Sequence, residues 1–361
     1  MKVREGLVEA GVVLIVVGLV LLAAPSLLEY REFYPLVIAC LGAAVLVVGV
    51  LMLVVPKSLL LPLKMLASGL LVLAVVLILL SLIAIPPIPF VTLRLGYKYS
   101  FTYSKQGSVT GRIVEVRVDN SLGETVVSAW DSDQYYVKVV LNVYAPSREH
   151  AERLANVKKP EIVVEKVGER TIIRVILDYK VVSPAFFTYD VYIKVPKSVS
   201  SELHLATSTG KVSVEGLRAR DVSIHATTGQ VVLKRVAADS VSVTATTGEI
   251  DAEVDARYAV LQVTTGRLSL RILGNISGEY ALSATTGSID VIAPDSPSVG
   301  VRLEAESHVG DVDFPSSWVV IKREGFISTK VVAETPNYAE APVRLLIRAS
   351  VTTGDLDVEQ G

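Results

Sequence analysis

A short phrase recurs along the second half of the chain: alternating apolar residues, Thr-Thr-Gly, then alternation again. It reads His-Ala-Thr-Thr-Gly-Gln-Val-Val-Leu at 225–233 and Thr-Ala-Thr-Thr-Gly-Glu-Ile-Asp-Ala at 244–252. Its glycines are Gly210, Gly229, Gly248, Gly266, Gly287, Gly310 and Gly354, at intervals of 19, 19, 18, 21, 23 and 44 residues. The last interval is close to two periods and reads as one copy that has lost its glycine. Self-similarity at a fixed short period marks a repeat architecture.

One period dictates its own local structure. Val222, Ile224, Ala226 and Thr228 share one parity, and after Gly229-Gln230 the parity flips to Val231 and Leu233. Period-2 alternation is that of a half-buried strand. A flip across glycine is a corner, where a positive φ costs no side-chain clash. Each copy is then strand, corner, strand and a second, polar corner such as Ala237-Ala238-Asp239-Ser240. An antiparallel meander would not return the same residue types at the same phase. A parallel stack does, with rungs about 4.8 Å apart. The expected fold is a parallel β-solenoid with two strands per short coil and a thin interior of Val, Ile, Leu and Ala.

Composition separates the chain into two parts. Of 35 bases and 37 acids, only 5 and 4 fall in residues 1–92. Apolar runs at 7–24, 35–55 and 63–85 are each near the ~20 residues that cross a bilayer as a helix. Three transmembrane helices are therefore expected, contacting the lipid bilayer through residues 7–85. Bases in the short flanking segments (Lys2, Arg4, Lys57, Lys64) place the N-terminus in the cytoplasm and residues 93–361 outside. The remainder is mildly acidic, with no basic stripe for nucleic acid. Cys40, the only cysteine, lies in the second run, so no disulfide framework is available.

The expected organisation is a three-helix anchor at 1–92, a strand-rich region at 93–200 and the repeats at 201–361. The middle region holds a divergent first coil with Gly123 at its corner and a short helix at 147–155 capped by Ser147. It forms a small α+β cap at the start of the stack. The expected fold class is membrane α plus all-β.

The order of motifs in this region carries a resemblance. An alternating strand with Asn120 and Gly123 is followed by Trp130-Asp131, a short Ala-rich helix, a hairpin around Gly168, and Tyr-Asp-Val-Tyr-Ile-Lys-Val-Pro at 189–196. Serial Thr-Gly coils follow. This resembles the prokaryotic "putative adhesin" family, also called Toastrack domains, over about 105–360. The resemblance implies a β-solenoid, in contexts of envelope sensing or surface interaction. It implies no catalytic residues.

Ser208, Thr227, Thr246, Thr264, Thr285 and Thr352 form one outward column beside the corners, with His308 in the same column. Their neighbours have opposite parity, so one column is expected to face out, capping the corners by hydroxyl bonds. Asp251/Glu253, Asp311/Asp313 and Asp355/Asp357 pair on the outer face; a solvated acidic face is preferred over a bound cation, which wants several convergent oxygens. His150, His204, His225 and His308 show no metal-ligand spacing. Asn275-Ile276-Ser277 is an N-glycosylation sequon in a loop that stretches its period to 21. The chain ends on a repeat-like strand, Thr352–Glu359, which reads as an open edge blunted by charge.

These readings lead to a non-enzymatic module with no cofactor and no metal: a surface interaction, scaffold or envelope-sensing solenoid. A protein or glycan partner on the outer face, and a homo-oligomer through edges or faces, are the open alternatives. A glycan-cleaving solenoid is a third.

Overall fold

The computed structural model describes residues 97–179, 186–324 and 328–361. The elements run β1 (Tyr97–Ser108), β2 (Ile113–Trp130), β3 (Gln134–Ala145), α1 (Arg148–Val157), β4 (Glu161–Val167), β5 (Arg170–Ile176) and β6 (Phe186–Pro196). They continue with β7 (Ser200–Glu215), β8 (Arg218–Ile272), β9 (Gly278–Ala293), β10 (Val299–Val309), β11 (Val312–Asp313), β12 (Val319–Glu324), β13 (Thr329–Glu334), β14 (Val343–Thr353) and β15 (Leu356–Gln360).

Successive rungs lie in parallel register. Gly123 pairs with Gly210, Gly210 with Gly229, and Gly266 with Gly287. Within the long β8, Gly248 packs on the Gly229 carbonyl and Gly266 on that of Gly248. Like residues therefore stack, and the interior is a column of aliphatic side chains. Val222, Ile224 and Ala226 sit beside Leu203, Leu205 and Thr207, all buried.

Each coil is longer-sided than two strands. The left-handed second corner falls at Gly216 and Arg235, with φ of 64° and 50°. After it, Leu217 and Ala219, then Val236 and Ala238, point inward and are buried. The Ala237 N–H donates to the Leu217 carbonyl at 3.0 Å, so this third side stacks too. The Ala-Ala-Asp-Ser stretch reads as a polar turn, yet Val236 and Ala238 alternate with Ala237 and Asp239 as a short wall.

The far end departs from chain order. β14 pairs with β9 on one side and β10 on the other, both parallel. β15 likewise lies between β9 and β11. The glycine column accordingly runs Gly287, Gly354, Gly310. The chain skips a rung after β9, lays down β10 and β11, turns through antiparallel β12 and β13, and returns to fill the gap. The 44-residue interval is this excursion, and no copy has lost its glycine. The final strand is not an open edge.

Both ends of the stack are closed. At the start, β5 covers the first half of β2 and β6 the second half, both parallel. β3 and β1 then continue antiparallel from β6. α1 starts at the Ser147 N-cap, whose Oγ accepts from the His150 N–H at 3.3 Å. It buries Ala151, Leu154 and Ala155. At the other end, Trp318 is buried and its Nε1 donates to Gln360 Oε1 at 3.0 Å.

The expected fold class needs correction. Among the described residues strands dominate, α1 is the one helix, and no helix is long and apolar enough to cross a membrane. α1 has 10 residues, half of what a span requires. The runs at 7–24, 35–55 and 63–85, assigned above to three transmembrane helices, lie outside the described residues.

The corner geometry sets a stability test. A Cβ on Gly248, at φ 140°, would lie 1.8 Å from the Gly229 carbonyl oxygen, whereas one on Gly168, at φ 58°, would meet nothing within 4 Å. Gly248→Ala is expected to cost about 3–5 kcal/mol, lowering Tm by roughly 10 °C or more. Gly168→Ala should cost only about 1 kcal/mol. Thermal melts of the two variants that coincide would refute the close-packed corner.

Candidate interaction surface

The corners present the most regular surface. All eight corner glycines, Gly123 included, have φ between 129° and 154°. A Cβ on any of them would fall 1.7–2.1 Å from a carbonyl oxygen of the neighbouring rung. That geometry breaks the alternation just before the corner. Thr227 and Thr228 are both exposed, as are the pairs 246/247, 264/265, 285/286 and 352/353, and Ser208 with Thr209. Two hydroxyl columns face solvent where one was expected. Parity extrapolated through the corner pointed the second threonine inward, and the glycine turns it out. The column ends on His308 and Val309, also exposed.

The face that follows the corners carries charges in rows. Glu249, Asp251 and Glu253 lie on the rung next to Arg267 and Arg271, and Arg267 Nε bonds Asp290 Oδ2 at 2.7 Å. Beyond it, the register stacks Asp290, Asp357 and Asp313 directly over one another. Asp355 joins them, accepting the Asp311 N–H at 3.1 Å. Partial burial, then Asp290, Asp313, Asp355 and Glu359, raise the Asp357 carboxyl above its ordinary pKa. The sequence pairs Asp311/Asp313 and Asp355/Asp357 thus become one cluster, while Asp251/Glu253 stays apart. Among the described residues no group of three or more His, Cys, Asp or Glu is arranged to hold a metal ion.

Of the histidines, His204 and His225 meet at one bay of about 850 Å³, together with Arg117, Arg174 and Tyr179. His150 is on α1 and His308 at the far corner column. Asn275 is exposed in the loop between β8 and β9. That loop is tied down by the buried Asp255, whose Oδ1 accepts from the N–H groups of Asn275 (3.2 Å) and Ile276 (3.4 Å). Asp255 escaped the sequence reading because alternation from Asp251 and Glu253 puts it on the outer face, yet it is buried between Val254 and Ala256.

The motif residues at the cap are structural. Tyr189 is fully buried, and its hydroxyl donates to the Lys158 carbonyl at 2.7 Å. Asp190 accepts from Asn142 Nδ2 at 2.7 Å and from the Glu124 N–H at 3.2 Å. Asn120, also fully buried, donates to the Tyr189 carbonyl at 2.9 Å and accepts from the Tyr179 hydroxyl. These bonds lock the first corner to β6. Asp131 pairs with Lys197 at 3.0 Å across the turn after Trp130.

On the opposite outer face, the one preceding the corners, a hollow of about 430 Å³ lies over β9 and β14. Ala281, Ser283 and Ser350 form its floor, with Gln262 on one side and Arg348, Glu304, Glu306 and Lys330 on the other. Arg348 Nε bonds Glu304 Oε2 at 3.1 Å, and Lys330 Nζ bonds Glu306 Oε1 at 3.0 Å. Sequence reading missed this site because its residues come from strands that are out of chain order.

Residues 115–274 match the family model described as Toastrack DUF4097. Among solved structures, a "putative cell adhesion protein" from Clostridium sporogenes is 13% identical, with a TM-score of 0.37. That similarity covers 73% of this chain and 100% of that one. A "putative adhesin" from Bacteroides fragilis is 13% identical over 72% of this chain and 97% of that one, with a TM-score of 0.29. Another from Parabacteroides distasonis is 10% identical over 71% and 97%, with a TM-score of 0.33. No curated protein matches the sequence.

The aspartate stack predicts a pH dependence. A carboxyl whose folded pKa is raised favours folding when protonated, and that contribution is lost as pH rises through the folded value. Asp357→Asn should therefore raise Tm at about pH 7 by a few degrees, from roughly 0.2–1 kcal/mol per relieved like-charge neighbour. The gain should vanish below the carboxylate range, about pH 3. A variant equally stabilised at both pH values would contradict the electrostatic cause.

Proposed function

We propose that this chain is a non-enzymatic interaction module working outside the cell, with the side faces of its stack as the working surface. The observation that carries the reading is the closure of both ends. The cap strands cover β2 and the β12–β13 excursion covers β10, so partners meet faces and corners rather than an open rung. The Toastrack match over 115–274 agrees with a surface role. So do the exposed hydroxyl columns and the tight coils. In this reading the apolar stretch at 7–85 holds the chain to the lipid bilayer, with its N-terminus on the cytoplasmic side.

A second reading, side-to-side self-assembly, has its own observation. Among the described residues β12 pairs only with β13, and its Val319, Val320 and Ile321 are 51%, 48% and 50% exposed. An apolar edge strand is a template for another chain. The register shift between Val320 and Lys322 works against this, because a bulge spoils a continuous ladder.

Protease treatment of intact cells should remove the 97–361 segment while leaving a cytoplasmic marker untouched. Protection of that segment would overturn the placement. Crosslinking on the same cells should yield monomer; a ladder of multimers that disappears in Val320→Lys would favour self-assembly instead.

A further inference from the structure

We propose that the 430 Å³ hollow over β9 and β14 binds a neutral, hydroxyl-rich chain, a glycan without net charge. The inference deepens the interaction-module reading and rests on it, since it names a ligand for one of the side faces.

Charge comes first. The ionised side chains lining the hollow are Glu304, Glu306, Lys330 and Arg348, two of each sign. Each is held by an opposite partner, and Arg348 bridges two rungs by also bonding Glu279. A polyanion or polycation would find no uncompensated countercharge there. Fixed carboxylates and a guanidinium in fork geometry do present oriented acceptors and donors, which suit hydroxyl groups.

Backbone comes second. The hollow lies on strands that are paired on both sides, because β9 sits between β8 and β14, and β14 between β9 and β10. A peptide cannot add to it as a strand, since strand addition needs a free edge.

Apolar contact comes third. Tyr258, Val260 and Gln262 follow one another on the outer face of the adjoining rung of β8. Tyr258 pairs in register with Glu279, and Val260 with Ala281 of the floor. Tyr258 is 64% exposed and Val260 39%. The ring and the Gln262 amide are four residues apart, about 13 Å along the strand. A flat ring at one end, an aliphatic contact between, and an amide with two serine hydroxyls at the other fit a sugar chain. Its C–H faces would lie on the ring and its hydroxyls would reach the polar end. Aromatic side chains serve such surfaces at low entropic cost, having an apolar body and a polar tip.

The test is calorimetric titration of the full-length protein with neutral hexasaccharides of glucose, mannose, galactose and N-acetylglucosamine, and with polygalacturonate as the acidic counterpart. At least one neutral probe should bind, with Kd on the order of 0.1–1 mM. Tyr258→Ala should weaken it at least tenfold, Tyr258→Phe should retain it, and Gln262→Ala should weaken it. Because Tyr258 and Gln262 are exposed, thermal melts should be unchanged in all three. Binding of polygalacturonate alone, binding of no probe, or equal binding by Tyr258→Ala would overturn the proposal. Binding of the purified protein to intact cells, measured in parallel, separates the two levels. Cell binding without saccharide binding removes the glycan site and leaves the interaction module; absence of both removes both.

Discussion

The structure depends on one contact repeated eight times: a carbonyl oxygen of one rung pressed against the Cα of a glycine on the next. No other residue leaves room there, since a Cβ would lie within about 2 Å of the oxygen. The contact fixes the phase of every rung at its corner. Once the corner is fixed, the alternation on either side determines which residues face inward, because a strand's side chains have period two. The interior is correspondingly thin, and its columns stay apolar while their volumes trade off between levels, as where small Ala259 stacks on the fully buried Tyr280. A coil that cannot bury its inner face alone gains stability only by stacking, so the glycine column also determines that the fold is cooperative along its axis.

Stacking creates two exposed interiors, and the chain closes both by leaving the repeat. Between the first and second rungs, residues from β3 to β6 fold back over β2, and buried Asn120 and Tyr189, with half-buried Asp190, bind this excursion to the first corner. At the far end the chain overshoots by one rung, forms an antiparallel pair, and returns to fill the gap. Gly300 faces Tyr338 there, with room for no side chain between them. Each excursion replaces an unpaired rung with paired strands, the usual answer to an edge liability.

The period, the corner glycines and the inward aliphatics were legible in the sequence because each follows from local sterics. The order of the last rungs was not. A 44-residue interval is the same whether a copy has lost its glycine or the chain has skipped a level, because spacing along the chain carries no information on which neighbour a rung chooses. The second threonine column was illegible for a related reason: alternation holds along a strand but not through a residue at φ near 140°. The floor and walls of the hollow, Ala281, Ser283, Ser350 and Glu304, come from rungs whose adjacency depends on that skipped level, so no reading in chain order assembles them.

A parallel stack puts like residues over like, which serves an aliphatic interior but not a charged surface. Most of this surface resolves the conflict by changing sign between rungs: Glu249 beside Arg267, and Arg348 between Glu279 and Glu304. The rung that returns last is the exception. Its Asp357 lies between Asp290 and Asp313, and partial burial, then both neighbours, raise its carboxyl above the ordinary pKa. That rung also joins segments far apart in sequence, so its pairing requires the largest loop closures at this end of the stack, an entropic cost met before the contacts repay it. β10 rests on β14, so neither it nor the antiparallel pair beyond it can dock on the rest before the returning strand is in place. Sequence separation and charge therefore act on the same level of the stack, and the hollow floored by β9 and β14 is complete only when that level has closed.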